Sequence, residues 1–285
     1  MPNYWLCLLS SALICFLFLF PKKLISTKIK FLLFILLSIL LTAWGFITTA
    51  GIGMLSIAGL TMYLATRPDI HYILRFCSAL IAIACVFIIS MNIIPGFVKF
   101  SLITPEYLGA ATMPFKADIS FAKCMTGLLL LLFWIKPEFN IKDIATKIRQ
   151  ALPFIIGLPV LILFLAQQLG WRFDFKWYDF SLAFIIGKLF LGAAAEEIFF
   201  RGVLQCRLNV FLQKHTTYSA AIALLSISLL FGILHLGGGT TYAILAATAG
   251  LAYGWIYWRF NSLHAAIGCH LLLNSLHFIF LTYPA

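Results

Sequence analysis

Residues 193–202 read AAAEEIFFRG, and the two carboxylates sit in an otherwise apolar stretch. An ionisable side chain at bilayer depth costs about 2.5–3.5 kcal/mol on insertion scales, so each one there needs a reason. On a helix Glu197 and Arg201 stand four residues apart and can pair, while Glu196 projects about 100° away from that pairing. A second stretch, FGILHLGGG, ends an apolar run with His235, four residues after Phe231 and just before three glycines. A third, HLLLNSLH, sets His270 and Asn274 on one helix face with His277 on nearly the same side. Lys188 lies two turns before Glu196, where it snorkels or compensates an acid. Each group alone has a bland explanation: an interfacial ion cluster, a headgroup-level histidine, or polar glue between helices. Together Glu196, His235, His270 and Asn274 come from three helices in the last third of the chain. Acid, imidazole and amide are the parts of a hydrolytic site: a carboxylate or imidazole takes a proton from water, and a second imidazole with an amide holds an oxyanion.

The elements that must position these groups are hydrophobic throughout. Of 285 residues, 63% are hydrophobic and 10% charged, and the mean hydropathy is +1.04. A soluble domain carries about 25% charged residues. Long apolar runs recur from end to end, so the chain is predicted to be all-α, a polytopic transmembrane helix bundle of about eight to ten membrane segments. The alternation of a β-barrel is absent. Ten apolar segments are predicted, at 4–20, 31–48, 51–66, 74–95, 120–135, 152–168, 180–200, 217–236, 241–258 and 262–281. The 51–66 segment is glycine-rich, and it either crosses or re-enters.

The net charge of +11 does not point to nucleic acid, because the basic residues punctuate the ends of apolar runs, as the positive-inside rule produces. Clusters at Lys22, Lys23, Lys28 and Lys30 and at Lys136, Lys142, Lys147 and Arg149, with Arg207, Lys214 and Arg259, are expected on the cytoplasmic side. That places the loops 96–119 and 169–179 outside and Glu196 and Glu197 near the cytoplasmic end of their helix. The seven cysteines form no CxxC pair and read as small buried hydrophobes. The first run lacks a preceding basic stretch and a following A-x-A site, so it reads as a retained helix. Residues 1–150 contain few polar groups inside their segments and read as accessory transmembrane helices. Residues 151–285 hold nearly all the embedded ionisable groups and read as the catalytic core.

EEIFFR fits E-E-x-x-x-R, FGILH fits F-x-x-x-H, and HLLLN fits H-x-x-x-N. In that order, on successive hydrophobic helices, they resemble the CaaX protease and bacteriocin-processing (CPBP, or Abi) family of intramembrane proteases, related to the type II CaaX prenyl endopeptidase. The resemblance covers about residues 180–280. It implies that Glu196 activates water with help from His235, that His270 and Asn274 stabilise the oxyanion, and that Glu197 and Arg201 pair in support. No cofactor is favoured. Zinc is the alternative, with Glu196, His235 and His270 as three ligands and a water as the fourth, although no HExxH motif is present. The implied partners are the lipid bilayer and a membrane-anchored protein or peptide, cleaved at a C-terminal anchor or sorting tail, a leader, or a CaaX-like tail. The expected location is a bacterial inner or plasma membrane. The alternative from another class is a non-catalytic membrane protein, either a transporter or a binding pseudoprotease. Carriers with embedded Glu, His and Lys often show two similar halves, and none is visible here.

Overall fold

The computed structural model describes residues 4–19, 25–103, 107–108, 115, 117–135 and 141–282. Lys22, Lys23 and Lys136 of the expected basic clusters lie outside the described residues. Among the described residues the fold is a helical bundle, 77% helical with ten helices, and the chain is a multi-pass integral membrane protein. The helices are α1 (Tyr4–Leu19), α2 (Thr27–Ala43), α3 (Thr49–Thr66), α4 (Tyr72–Ser90), α5 (Ala122–Phe133), α6 (Ile141–Gln168), α7 (181–212), α8 (Ser219–Ile233), α9 (Thr240–Phe260) and α10 (Leu263–Phe280). By length and composition α3, α4, α6 and α10 are each long and apolar enough to cross a membrane. Two residues of β1 (Phe100–Ser101) pair antiparallel with two of β2 (Asp118–Ile119).

Three segments differ from the hydropathy pattern. Helix α6 begins at residue 141 rather than 152, so Lys142, Lys147 and Arg149 ride on its first turns instead of a loop. Charged residues do not end a helix; they only mark where it leaves the apolar layer. Helix α7 runs past residue 200 to 212, and its backbone alternates between α-turns at 181–184, 191–197 and 206–212 and π-turns at 185–190 and 198–205. π-turns inside helices occur often at functional sites. Helix α5 has only 12 residues, about 18 Å at 1.5 Å per residue. It is apolar and buried on most sides, as a core helix must be.

The chain forms two compact units. The first comprises Met1–Leu102, Asp118–Asn140 and Ala183–Glu196; the second comprises Ile103–Ala117, Ile141–Leu182 and Glu197–Ala285. In the first unit Lys30 is buried, not solvated. Its Nζ donates to the Phe18 carbonyl at 2.7 Å, where the last turn of α1 presents unsatisfied, partly negative carbonyls. Helix α3 starts against the chain after α4: a Cβ on Gly51 would stand 2.2 Å from the Gly96 carbonyl oxygen, so only glycine fits.

In the second unit α6, α9 and α10 share a core of Ile155, Ile162, Ala252, Ile256, Ala265 and Leu273. Helices α8 and α9 cross on small residues. A Cβ on Gly232 would lie 2.7 Å from Ala247 Cβ and 2.8 Å from the Ala243 oxygen. Close backbone approach of this kind is how helices gain packing contact where lipid offers no hydrophobic drive.

Candidate active site

The division between the units falls between Glu196 and Glu197, and each carboxylate has its own surroundings. Glu196, with its side chain 16% exposed, accepts a hydrogen bond from the Lys123 ammonium at the start of α5, 73 residues earlier. Lys123 was not among the residues singled out from the sequence. Its signal is faint, being one basic residue at the edge of an apolar run. Lys188, read from the sequence as snorkelling or compensating an acid, lies exposed on α7 within electrostatic reach of Glu196 and Asp118.

Glu197 is fully buried. Its Oε2 accepts from Arg201 Nε at 3.0 Å, and its Oε1 lies 2.9 Å from His270 Nδ1 on α10. A carboxylate paired with a guanidinium accepts only, so Nδ1 carries the proton and Nε2 becomes the nitrogen that faces other chemistry. Arg201 is itself fully buried. Its second nitrogen, NH1, donates to Gln205 Oε1 at 3.2 Å, and Gln205 Nε2 donates to the Gly254 carbonyl of α9 at 3.0 Å. One polar chain therefore runs from His270 through Glu197, Arg201 and Gln205 to the backbone of α9. A buried ion pair is costly unless its remaining polar atoms are also bonded; this chain supplies bonds for Nε and NH1 of Arg201, while NH2 is buried without a hydrogen bond among the described residues. Gly254 must lack a side chain, because a Cβ there would meet Leu224 Cδ1 at 2.6 Å, Gln205 Oε1 at 2.8 Å and Arg201 NH1 at 3.1 Å.

An aromatic frame holds the imidazoles. The His270 ring stacks on Tyr253, with centroids 4.4 Å apart and planes 13° from parallel. It meets Phe231 edge-to-face at 5.9 Å. Phe231 also touches the His235 ring at 4.5 Å and lies 5.8 Å beneath the Arg201 guanidinium. The Phe of F-x-x-x-H is thus the common neighbour of both histidines and the arginine. Tyr253, Gln205 and Gly254 were not legible as site residues, since tyrosine, glutamine and glycine carry no distinctive spacing there.

His235 is half-buried at the end of α8, and its Nδ1 lies 2.7 Å from the Phe231 carbonyl. A carbonyl only accepts, so Nδ1 is the donor, and in the neutral ring Nε2 then holds the lone pair. The helix stops there because glycines follow. Gly239 takes φ +96°, and a Cβ on Gly238 would come within 2.5 Å of Tyr242. Asn274 is half-buried one turn beyond His270 on α10. His277, one further turn along, is also half-buried. Among the described residues no group of three or more His, Cys, Asp or Glu side chains is arranged to hold a metal ion.

Fold and site together define a helical, multi-pass membrane protein whose last third gathers buried acid, guanidinium and imidazole groups. Residues 178–276 match the family of type II CAAX prenyl endopeptidases, Rce1-like. That match agrees with the CPBP resemblance of the three motifs, and in general terms it supports a CAAX-type intramembrane endopeptidase. No curated protein and no solved structure matches the chain.

Proposed function

We propose that the protein is an intramembrane endopeptidase that hydrolyses a peptide bond of a membrane-associated protein or peptide, using a water activated by Glu196. The observation that carries this reading is the family match over residues 178–276, which spans Glu196, Glu197, Arg201, His235, His270 and Asn274. In this reading Glu196 accepts a proton from water, with the His235 Nε2 lone pair assisting, and the hydroxide adds to the scissile carbonyl. His270, through Nε2–H in its charged form, and the Asn274 amide donate to the oxyanion. The intermediate collapses as the proton passes to the leaving amine. Preorganised donors of this kind act strongly in a water-poor site. Glu197 and Arg201 hold His270 rather than react.

The substrate class is a C-terminal anchor or sorting tail, a leader, or a CaaX-like tail, in a bacterial plasma membrane. Hydrolysis proceeds without a metal in this reading, and zinc bound by Glu196, His235 and His270 is the competing version. The test is co-expression of the wild type, Glu196→Gln and Glu197→Gln with tagged membrane proteins from the same genomic neighbourhood, followed by purified reactions with and without a chelator. Cleavage by the wild type, lost in a folded Glu196→Gln variant and insensitive to chelator, is the expected result. Absence of any length change in every arm, with all variants folded, returns the chain to the non-catalytic reading.

A further inference from the structure

The segment WRFDFKWYDF, residues 171–180, joins α6 to α7 and is built inside out. It runs alongside the end of α10 in an extended pairing. Asp174 N donates to the Phe280 oxygen at 2.8 Å, Lys176 N to the Ile279 oxygen at 2.7 Å, and Thr282 N to the Arg172 oxygen at 2.9 Å. An extended chain sends alternate side chains to opposite faces. Across 173–177 Asp174 and Lys176 turn inward and Phe173, Phe175 and Trp177 outward, while Trp171 is buried and Arg172 and Asp179 are exposed. Lys176 is 2% exposed. Its Nζ donates to the Asp174 carbonyl at 2.9 Å, bonds the Leu281 carbonyl, and lies 3.3 Å from the Asp174 carboxylate. On the outer face Phe173, Phe175 and Trp177 are 67%, 63% and 57% exposed. Phe280 stacks on Phe173 at 6.1 Å and tilts against Phe175 at 5.8 Å, which stiffens the ridge.

A loop in water does the opposite: it solvates its lysine and hides its rings. Just before the segment, Leu161 and Phe164 of α6 and Leu169 beyond its end are exposed as well. Both flanking helices, α6 and α10, are long and apolar enough to span, so the ridge lies where two spans end. We infer that residues 171–180 form an aromatic ridge seated in the headgroup–acyl boundary of the bilayer, with Phe173, Phe175 and Trp177 as its lipid contacts. Trp gathers at that depth in membrane proteins, and Phe buries its ring on the acyl side of the same boundary. The buried Lys176 clasp lets the rings point to lipid without leaving backbone carbonyls of the α10 end unsatisfied, which lipid does not tolerate. The inference does not depend on the proposed proteolysis.

The test uses the full chain in phosphatidylcholine vesicles. Tryptophan emission of the wild type minus that of Trp177→Phe isolates Trp177. Phe175→Trp in the Trp177→Phe background reports the neighbouring outward position independently. Lipids brominated near the top of the acyl chain are expected to quench both difference signals at least about twofold, more than lipids brominated near the chain end or aqueous iodide do. Quenching by iodide without quenching by bromolipid puts the ridge in water and overturns the inference. Protection from both quenchers means that protein, such as a second copy, covers the ridge, and also overturns it.

Discussion

Gly254→Ala separates two physical effects of opposite sign. Glycine inside a helix is destabilising relative to alanine by about 0.5–1 kcal/mol, so the substitution alone raises stability. In α9, however, the added Cβ would stand 2.6 Å from Leu224, 2.8 Å from Gln205 Oε1 and 3.1 Å from Arg201 NH1. Overpacking of this kind costs roughly 1–3 kcal/mol. Displacing Gln205 also strains its 3.0 Å bond to the Gly254 carbonyl, worth about 1 kcal/mol. The net expectation is a loss of roughly 1–3 kcal/mol, a fall in melting temperature of about 2–6 °C for a chain of this size. The assay is thermal unfolding in detergent, followed by tryptophan emission. Gly157→Ala on α6, where a Cβ meets nothing within 4 Å, is the control and is expected to be neutral or slightly stabilising. Pairing Gly254→Ala with Leu224→Ala removes the closest clash and restores part of the loss. A Gly254→Ala protein that melts at or above the wild type would refute the tight packing of α9 on the Arg201–Gln205 chain.

Other expectations follow from the same geometry. Arg201→Met leaves the Glu197 carboxylate buried without its guanidinium and is expected to cost about 3–5 kcal/mol, read as a collapse of the same melting transition, with Glu197→Gln comparably costly because it leaves the always-charged Arg201 guanidinium buried without a counter-charge. Tyr253→Leu keeps bulk but removes the ring stacked on His270; under the proposed reaction it lowers kcat more than it raises KM, and equal changes in both would deny it a positioning role. Burial pulls the Lys176 ammonium below its ordinary value of 10.5 against the opposing pull of Asp174. Between that lowered value and 10.5 the unfolded chain binds more protons than the folded one, so stability rises with pH across this window. Below it the cost of burying the charge is carried in full. Melting temperatures of the wild type relative to Lys176→Met, measured from neutral to alkaline pH, test the sign, and a flat or falling difference contradicts it.

The ten helices were legible because lipid allows so few solutions. A backbone in the bilayer must satisfy its own hydrogen bonds, and apolar runs mark where it does so. The motif residues were legible too, since an acid or imidazole in such a run stands out. Hydropathy did not show that α7 continues to residue 212 through two π-turns or that Lys30 and Lys176 are buried. A run length records where a segment is apolar, and says nothing of where helical backbone stops or which carbonyl a lysine reaches.

By itself, then, the sequence determined a helical membrane protein and the order of its polar side chains: Glu196, Glu197 and Arg201 on one helix, His235 at the end of the next, His270 and Asn274 on the last. The i to i+4 relation between Glu197 and Arg201 is local and follows from helical pitch. The tertiary structure decided the partners. His270 lies 73 residues from Glu197, Gly254 lies 49 residues from Gln205, and Lys123 lies 73 residues from Glu196. Such pairs depend on which faces of which helices meet. Helix periodicity sets each face but not its neighbour; that is set by close packing, as where Gly232 lets α8 lie against α9 and glycine at 254 admits the Arg201–Gln205 chain.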